Sequence, residues 1–97
     1  MSKPNPFHEV DKDFFKYMDS IDSLLNNKDV QDTHFKLTIL HGKAPVEFES
    51  VSNLFTTPMK AALKNLKSGD HLYFEYINGK DKNGSVVRLD PLNYLIK

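Results

Sequence analysis

Apolar residues recur along this chain with two different periods, and the change of period divides it. Between residues 10 and 25 they stand at Val10, Phe14, Tyr17, Met18, Ile21, Leu24 and Leu25. Spacings of three and four put them on one stripe of a helix. Asp11, Asp13, Asp19 and Asp22 fall largely off that stripe, and early acids suit the positive end of a helix dipole. Asn5-Pro6 offers an N-cap and a first-turn proline, and Asn26-Asn27 a stop. An amphipathic N-terminal helix is predicted, with its Phe, Met and Leu stripe packed on the rest of the domain.

From Thr33 the period changes to two. In THFKLTILH (33–41), Phe35, Leu37 and Ile39 face one way and His34, Lys36 and Thr38 the other, which is a half-buried strand. Gly42-Lys43-Ala44-Pro45 turns the chain, and Val46-Glu47-Phe48-Glu49 alternates again, as a hairpin or meander whose loop looks too long to fix the register. Thr57-Pro58 then reads as an N-cap and first-turn proline. Met59, Ala62, Leu63 and Leu66 form the buried stripe of a short helix, which Lys67-Ser68-Gly69 ends. HLYFEYI (71–77) reads as a central strand with Leu72, Phe74 and Tyr76 on one face and His71, Tyr73, Glu75 and Ile77 on the other. The polar turn NGKDKNG (78–84) follows, with Asn83-Gly84 favouring positive φ. Ser85–Leu89 returns as a strand, Asp90-Pro91 breaks it, and Leu92–Ile96 closes the chain as another. The predicted fold is α+β, an antiparallel sheet with an N-terminal helix and one internal helix in the order α-β-β-α-β-β-β.

At 97 residues the chain is one domain with a modest core, divided into an acidic segment (1–32) and a strand-rich body (33–97). The absence of cysteine removes disulfides and thiolate chemistry. No apolar run approaches the roughly 18 residues that span a bilayer, and Met1–Pro6 leads into charged sequence with no secretory signal. The zero net charge conceals an asymmetry. Seven acids face four lysines in residues 1–32, and nine bases face six acids in residues 33–97. The neutral total argues against a dedicated nucleic-acid binder, and the split allows an acidic head to sit against a basic body.

Candidate chemistry is sparse. His8, His34, His41 and His71 show no helical ligand spacing, and one strand would hold His34 and His41 more than about 20 Å apart. Ser68-Gly69-Asp70-His71 places triad-type residues side by side, but a triad is a spatial arrangement and these read as a turn. Gly79 and Gly84 miss the phosphate-loop spacing. Asp81–Gly84 opens like a calcium loop without the later bidentate acid. Tyr73, Tyr76 and Tyr94 suggest a base-stacking platform that the charge does not support. No catalytic, cofactor-binding or metal-ligating residue is assigned, and no enzyme activity is expected. Lys60, Lys64 and Lys67, at i, i+4 and i+7, form the candidate patch for an acidic protein partner.

From about Thr33 to Lys97, SNLFTTPMKAALKNLKSGDHLYFEYI and its continuation DKNGSVVRLDPLNYLIK resemble the C-terminal domain of the gliding-motility protein GldM family. The shared order is a Ser-Asn segment, a Thr-Pro-capped helix, a Leu-Lys-x-Gly-Asp exit, a strand like LYFEYI, a loop with Asp or Asn before Gly, then Arg-Leu, Pro and a terminal apolar strand. The matched Gly69, Asp70, Phe74, Ile77, Gly84, Leu89 and Pro91 are turn and core types. Residues 1–32 are unlike the Ig-like domains that precede this domain in that family. The resemblance implies a periplasmic, non-catalytic domain that makes protein contacts and dimerises within the gliding and type IX secretion apparatus. A natural start at Met1 would instead imply the cytoplasm and a small inhibitor or immunity-like regulator of a partner enzyme. Either way the expected partner is a protein, a second copy (homodimer) included, with no nucleic acid, membrane insertion, small-molecule substrate or cofactor.

Overall fold

The computed structural model describes residues 8–25 and 30–97, with the side chain of Asp32 excepted. Six strands form one mixed sheet: β1 (His8–Val10), β2 (Gln31–His41), β3 (Ala44–Ser50), β4 (His71–Lys80), β5 (Val86–Leu89) and β6 (Leu92–Ile96). Helix α1 (Thr57–Leu63) lies between β3 and β4 in sequence. The spatial order is β1-β6-β4-β2-β3, with β5 beside the far end of β4. The α+β class with a sheet and an internal helix is as expected. The sheet is not purely antiparallel, because β1 runs parallel to β6.

Alternation along the central strands sends Phe35, Leu37, Ile39, Leu72, Phe74, Tyr94 and Ile96 to one face, where all are buried. Met59, Leu63 and Leu66 cover that face from α1 and its exit, with Phe55 from the approach to the helix. Phe15, Phe35, Phe55, Phe74 and Tyr94 meet there ring to ring at centroid distances of 5.1–6.2 Å, in tilted and edge contacts with Phe55 stacked on Phe74, as aromatic quadrupoles favour. The molecule is only 21 Å thick, one sheet with a single covering layer.

The predicted N-terminal helix is replaced, over its described part, by β1, successive turns at residues 12–17 and a 3-10 turn at Ile21–Ser23. Asn5-Pro6 and Asn26-Asn27 lie outside the described residues. Phe14 and Lys16 donate their amides only three residues back, to Asp11 and Asp13. The segment is dense in Asp, Ser, Phe and Tyr, all weak helix formers, and Asp and Ser compete for backbone groups. Ser20, in an extended conformation, accepts from the Asp22 amide. Phe55 and Ile21 amides then pair with the Asp19 and Asn53 carbonyls. Burial changes accordingly. Phe15, off the predicted stripe, is fully buried with Ile21, while Phe14 is 42% and Tyr17 85% exposed.

Three local differences are physically instructive. The N-cap of α1 is Thr56, whose Oγ1 accepts from the Met59 amide at 3.3 Å, with Thr57-Pro58 opening the helix. The β2–β3 loop is only Gly42-Lys43, closed by the pair His41–Ala44. Gly42 at φ +64° supplies the left-handed turn position, so the register is fixed. Finally, the alternation of β4 slips at Tyr76. Lys36 pairs with Glu75 but His34 with Asn78, so two residues of β2 span three of β4. That bulge, with Tyr76 at φ +53°, throws Tyr76 off the core face and lets Ile77 take the buried place.

Candidate interaction surface

Among the described residues strand β3 ends the sheet, with β2 as its neighbour on one side. A two-residue loop closes on a hydrogen-bonded pair, here His41–Ala44. Ala44, Val46, Phe48 and Ser50 therefore turn their peptide groups toward β2. Pro45, Glu47 and Glu49 turn theirs outward. Pro45 has no N–H to give, which suits an outward position; Glu47 and Glu49 present both donor and acceptor. Val46, 48% exposed, and the half-buried Phe48 lie on the core side of this edge.

None of the described residues on the second face of the sheet is buried. On it, Lys36 stands between Glu49 of β3 and Glu75 of β4, and its Nζ lies 2.8 Å from Glu47. The Glu47 hydrogen bond, with lesser contributions from neighbouring charge, holds the Lys36 ammonium above the ordinary lysine range. Its Nζ also lies 5.8 Å from the Tyr76 ring centroid, within cation–π range. Tyr76 is 70% exposed and Val51, at the end of β3, 95%. Between them runs a groove of about 490 Å³ bordered also by His34, Glu49 and Asn78. A non-glycine residue in the left-handed region costs about 1–2 kcal/mol. The Asn78 side chain helps hold the bulge, donating to the Tyr76 carbonyl at 2.9 Å.

The three lysines expected to form one patch are divided. Lys60 Nζ pairs with Asp19 at 2.9 Å. Lys64 lies alongside, bordering a cleft with Lys60, Asp19 and Tyr17. Lys67 stands beyond the end of α1, in the exit turn, beside Asp11, Asp13 and Lys97. The described acids Asp11, Asp13 and Asp19 thus lie against the helix and its exit within one chain. The Lys60 hydrogen bond and charge, with the charge of Lys64, lower the Asp19 pKa.

Asp70 is 4% exposed. Its Oδ1 lies 2.6 Å from His41 Nδ1 and its Oδ2 accepts from the Lys67 amide at 2.9 Å. Its own carbonyl accepts from Ile96, and Gly69, at φ +94°, donates to the Ile96 carbonyl. The carboxylate ties the helix exit to the end of β2, and the Gly69 and Asp70 peptide groups tie it to β6. Asp81 likewise closes the β4–β5 turn, its Oδ1 accepting from the Asn83 and Ser85 amides. Among the described residues no group of three His, Asp or Glu side chains is placed to hold a metal ion, and no helix is long and apolar enough to cross a membrane.

The sequence led us to expect binding at a sheet edge but did not identify β3 as that edge, and its alternation placed Tyr76 on the face of Leu72 and Phe74. The signal for the edge was Pro45 with Glu47 and Glu49, since proline and outward charge mark edge strands; Tyr76 carried none. Searches find no protein-family model that matches this chain and no curated protein similar to it.

Proposed function

We propose that this chain is a non-enzymatic protein-binding module that works by strand addition at β3. The observation carrying the reading is the outward edge of β3, seven residues long and paired on one side among the described residues. Such an edge offers ladder hydrogen bonds to an extended segment of another protein. Exposed Val46 on this strand and Val51 at its end add apolar surface that a partner would cover, with Tyr76 across the groove from Val51. The resemblance to GldM C-terminal domains supports an assembly role, periplasmic and dimeric in that family. Residues 8–25 then complete the fold rather than provide the binding surface, because Phe15 and Ile21 are core residues.

The competing surface is the lysine face of α1, and one experiment separates the two. A photo-crosslinking side chain is placed at Val46 in one variant and at Lys64 in another, in cells that make the protein natively. A partner captured through position 46 and not 64 supports strand addition. Capture through 64 alone replaces it with the basic helix face.

A further inference from the structure

We propose that the strand added to β3 is a basic one, antiparallel, with Lys or Arg at alternate positions and apolar residues between. The proposal rests on the strand-addition reading and names the chemistry of its partner. In an antiparallel ladder, residues directly opposite each other point to the same face. Partner residues opposite Glu47 and Glu49 therefore project onto the open face beside those carboxylates. Residues opposite Val46 and Phe48 project onto the core side, where Val46 is 48% exposed. The complementary sequence reads basic–apolar–basic–apolar.

Charge decides the occupant. Among the described residues of β2, β3 and β4 around this edge, the open face carries Glu47, Glu49 and Glu75 against the ammonium of Lys36. Lys36 bonds Glu47, and two carboxylates exceed what it can balance. The same charges disfavour a second copy. Self-pairing centred on Glu47 sets that residue against itself, and pairing centred on Phe48 sets Glu47 against Glu49. Pairing centred on Val46 puts Pro45 where the ladder requires a donor. Like charges directly opposed destabilise a ladder, whereas opposite charges support it.

The test uses the full chain and two fluorescent nonapeptides, one alternating lysine and valine, the other glutamate and valine. Binding is read by anisotropy at low and moderate salt, and the site by hydrogen exchange of the Glu47 and Glu49 amides. The lysine peptide is expected to bind, to weaken with salt and to slow exchange at both amides. The double variant Glu47→Gln/Glu49→Gln, which keeps shape and hydrogen bonding, is expected to weaken it about tenfold. Glu47→Lys/Glu49→Lys is expected to reverse the preference. Equal protection of both amides by both peptides overturns the proposal while strand addition stands. Failure of the lysine peptide to protect either amide overturns it as well, and the Val46 crosslink then decides strand addition separately. Self-association of the unliganded chain that protects the same amides overturns it in favour of a second copy.

Discussion

Replacing Asp70 by alanine tests the clamp that joins the helix exit to the sheet. The carboxylate is almost wholly buried and receives two hydrogen bonds, from the Lys67 amide at 2.9 Å and His41 Nδ1 at 2.6 Å. A hydrogen bond to a buried charged group contributes about 1.5–3 kcal/mol, and an amide left without its acceptor costs about 1–3 kcal/mol. The His41 side chain is 55% exposed, so water replaces much of its share, leaving about 0.5–1 kcal/mol. Asp70→Ala is therefore expected to lose about 2–4 kcal/mol, a large part of the 5–15 kcal/mol typical of a domain. Asp70→Asn keeps an acceptor for Lys67 and should lose about half as much. His41→Ala should lose about 0.5–1 kcal/mol alone and almost nothing in the Asp70→Ala background, because its partner is already gone.

Urea unfolding followed by circular dichroism measures the four variants against the unaltered protein. The midpoint should fall with the slope unchanged, which marks a change of stability and not of the denatured state. In a chain of this length each kcal/mol moves the melting temperature by about 4–8 °C, so Asp70→Ala should melt at least about 8 °C lower. A loss below about 0.5 kcal/mol for Asp70→Ala would refute the clamp. So would equal losses for Asp70→Ala and His41→Ala, since the buried amide would then contribute nothing.

Three further substitutions probe other features. Gly79→Ala should lose about 1–3 kcal/mol by overpacking. A methyl there would lie 2.8 Å from the Gln31 carbonyl oxygen, which the ladder holds in place, and would collide with Val30; calorimetry reads the loss. Tyr76→Gly should leave stability within about 1 kcal/mol, since relief at φ +53° offsets the extra freedom glycine gives the unfolded chain. Tyr76→Val should lose about 1–2 kcal/mol, and the order of the two variants is the check. Asp19 has a lowered pKa in the fold, so the stability it contributes is complete above the ordinary aspartate range and disappears as pH falls through the folded value. Acid titration from about pH 5 downward should therefore destabilise the native protein more than Asp19→Asn, with Lys60→Gln behaving like Asp19→Asn.

What the sequence revealed follows the range of the forces involved. Alternation in 33–41, 46–49 and 71–75 reports which side of a sheet is buried, a local property. Thr56-Thr57-Pro58 reports a helix start nearly as locally. The N-terminal segment deceived because Phe14 and Phe15 are adjacent and either can anchor a stripe. The choice is made by the aromatic cluster around Phe74 and Tyr94, which no spacing near residue 15 records. Strand β1 is only His8–Val10, and its parallel partner β6 is more than eighty residues away in the chain. The bulge at Tyr76 is likewise set by pairing with β2 and by the break at Asp90-Pro91 between the two strands that pair with β4 on its other side. For the candidate surface, Lys60, Lys64 and Lys67 were visible as a helical repeat, but Asp19 and the early end of α1 were not.

The residues along β3 show how an exposed edge can be guarded and selective at once. A bare edge flanked by Val46 and Phe48 would invite any hydrophobic strand, including its own copy. Pro45 removes one donor from the outward row, and Glu47 and Glu49 impose repulsion in the registers that overlap most. These are the devices by which edge strands avoid aggregation. The guard works through charge, however, and a strand bearing the opposite charge meets attraction at the same two positions. Its backbone can still use the outward amides of Glu47 and Glu49. On the proposed reading, protection from self-pairing and choice of partner are one property of the same carboxylates. Neutralising Glu47 and Glu49 should therefore weaken the basic strand and, in the same variant, raise self-association, a linkage that sedimentation and anisotropy on one preparation can test together. If self-association rises while affinity for the basic strand is unchanged, the carboxylates only guard the edge and do not choose what occupies it.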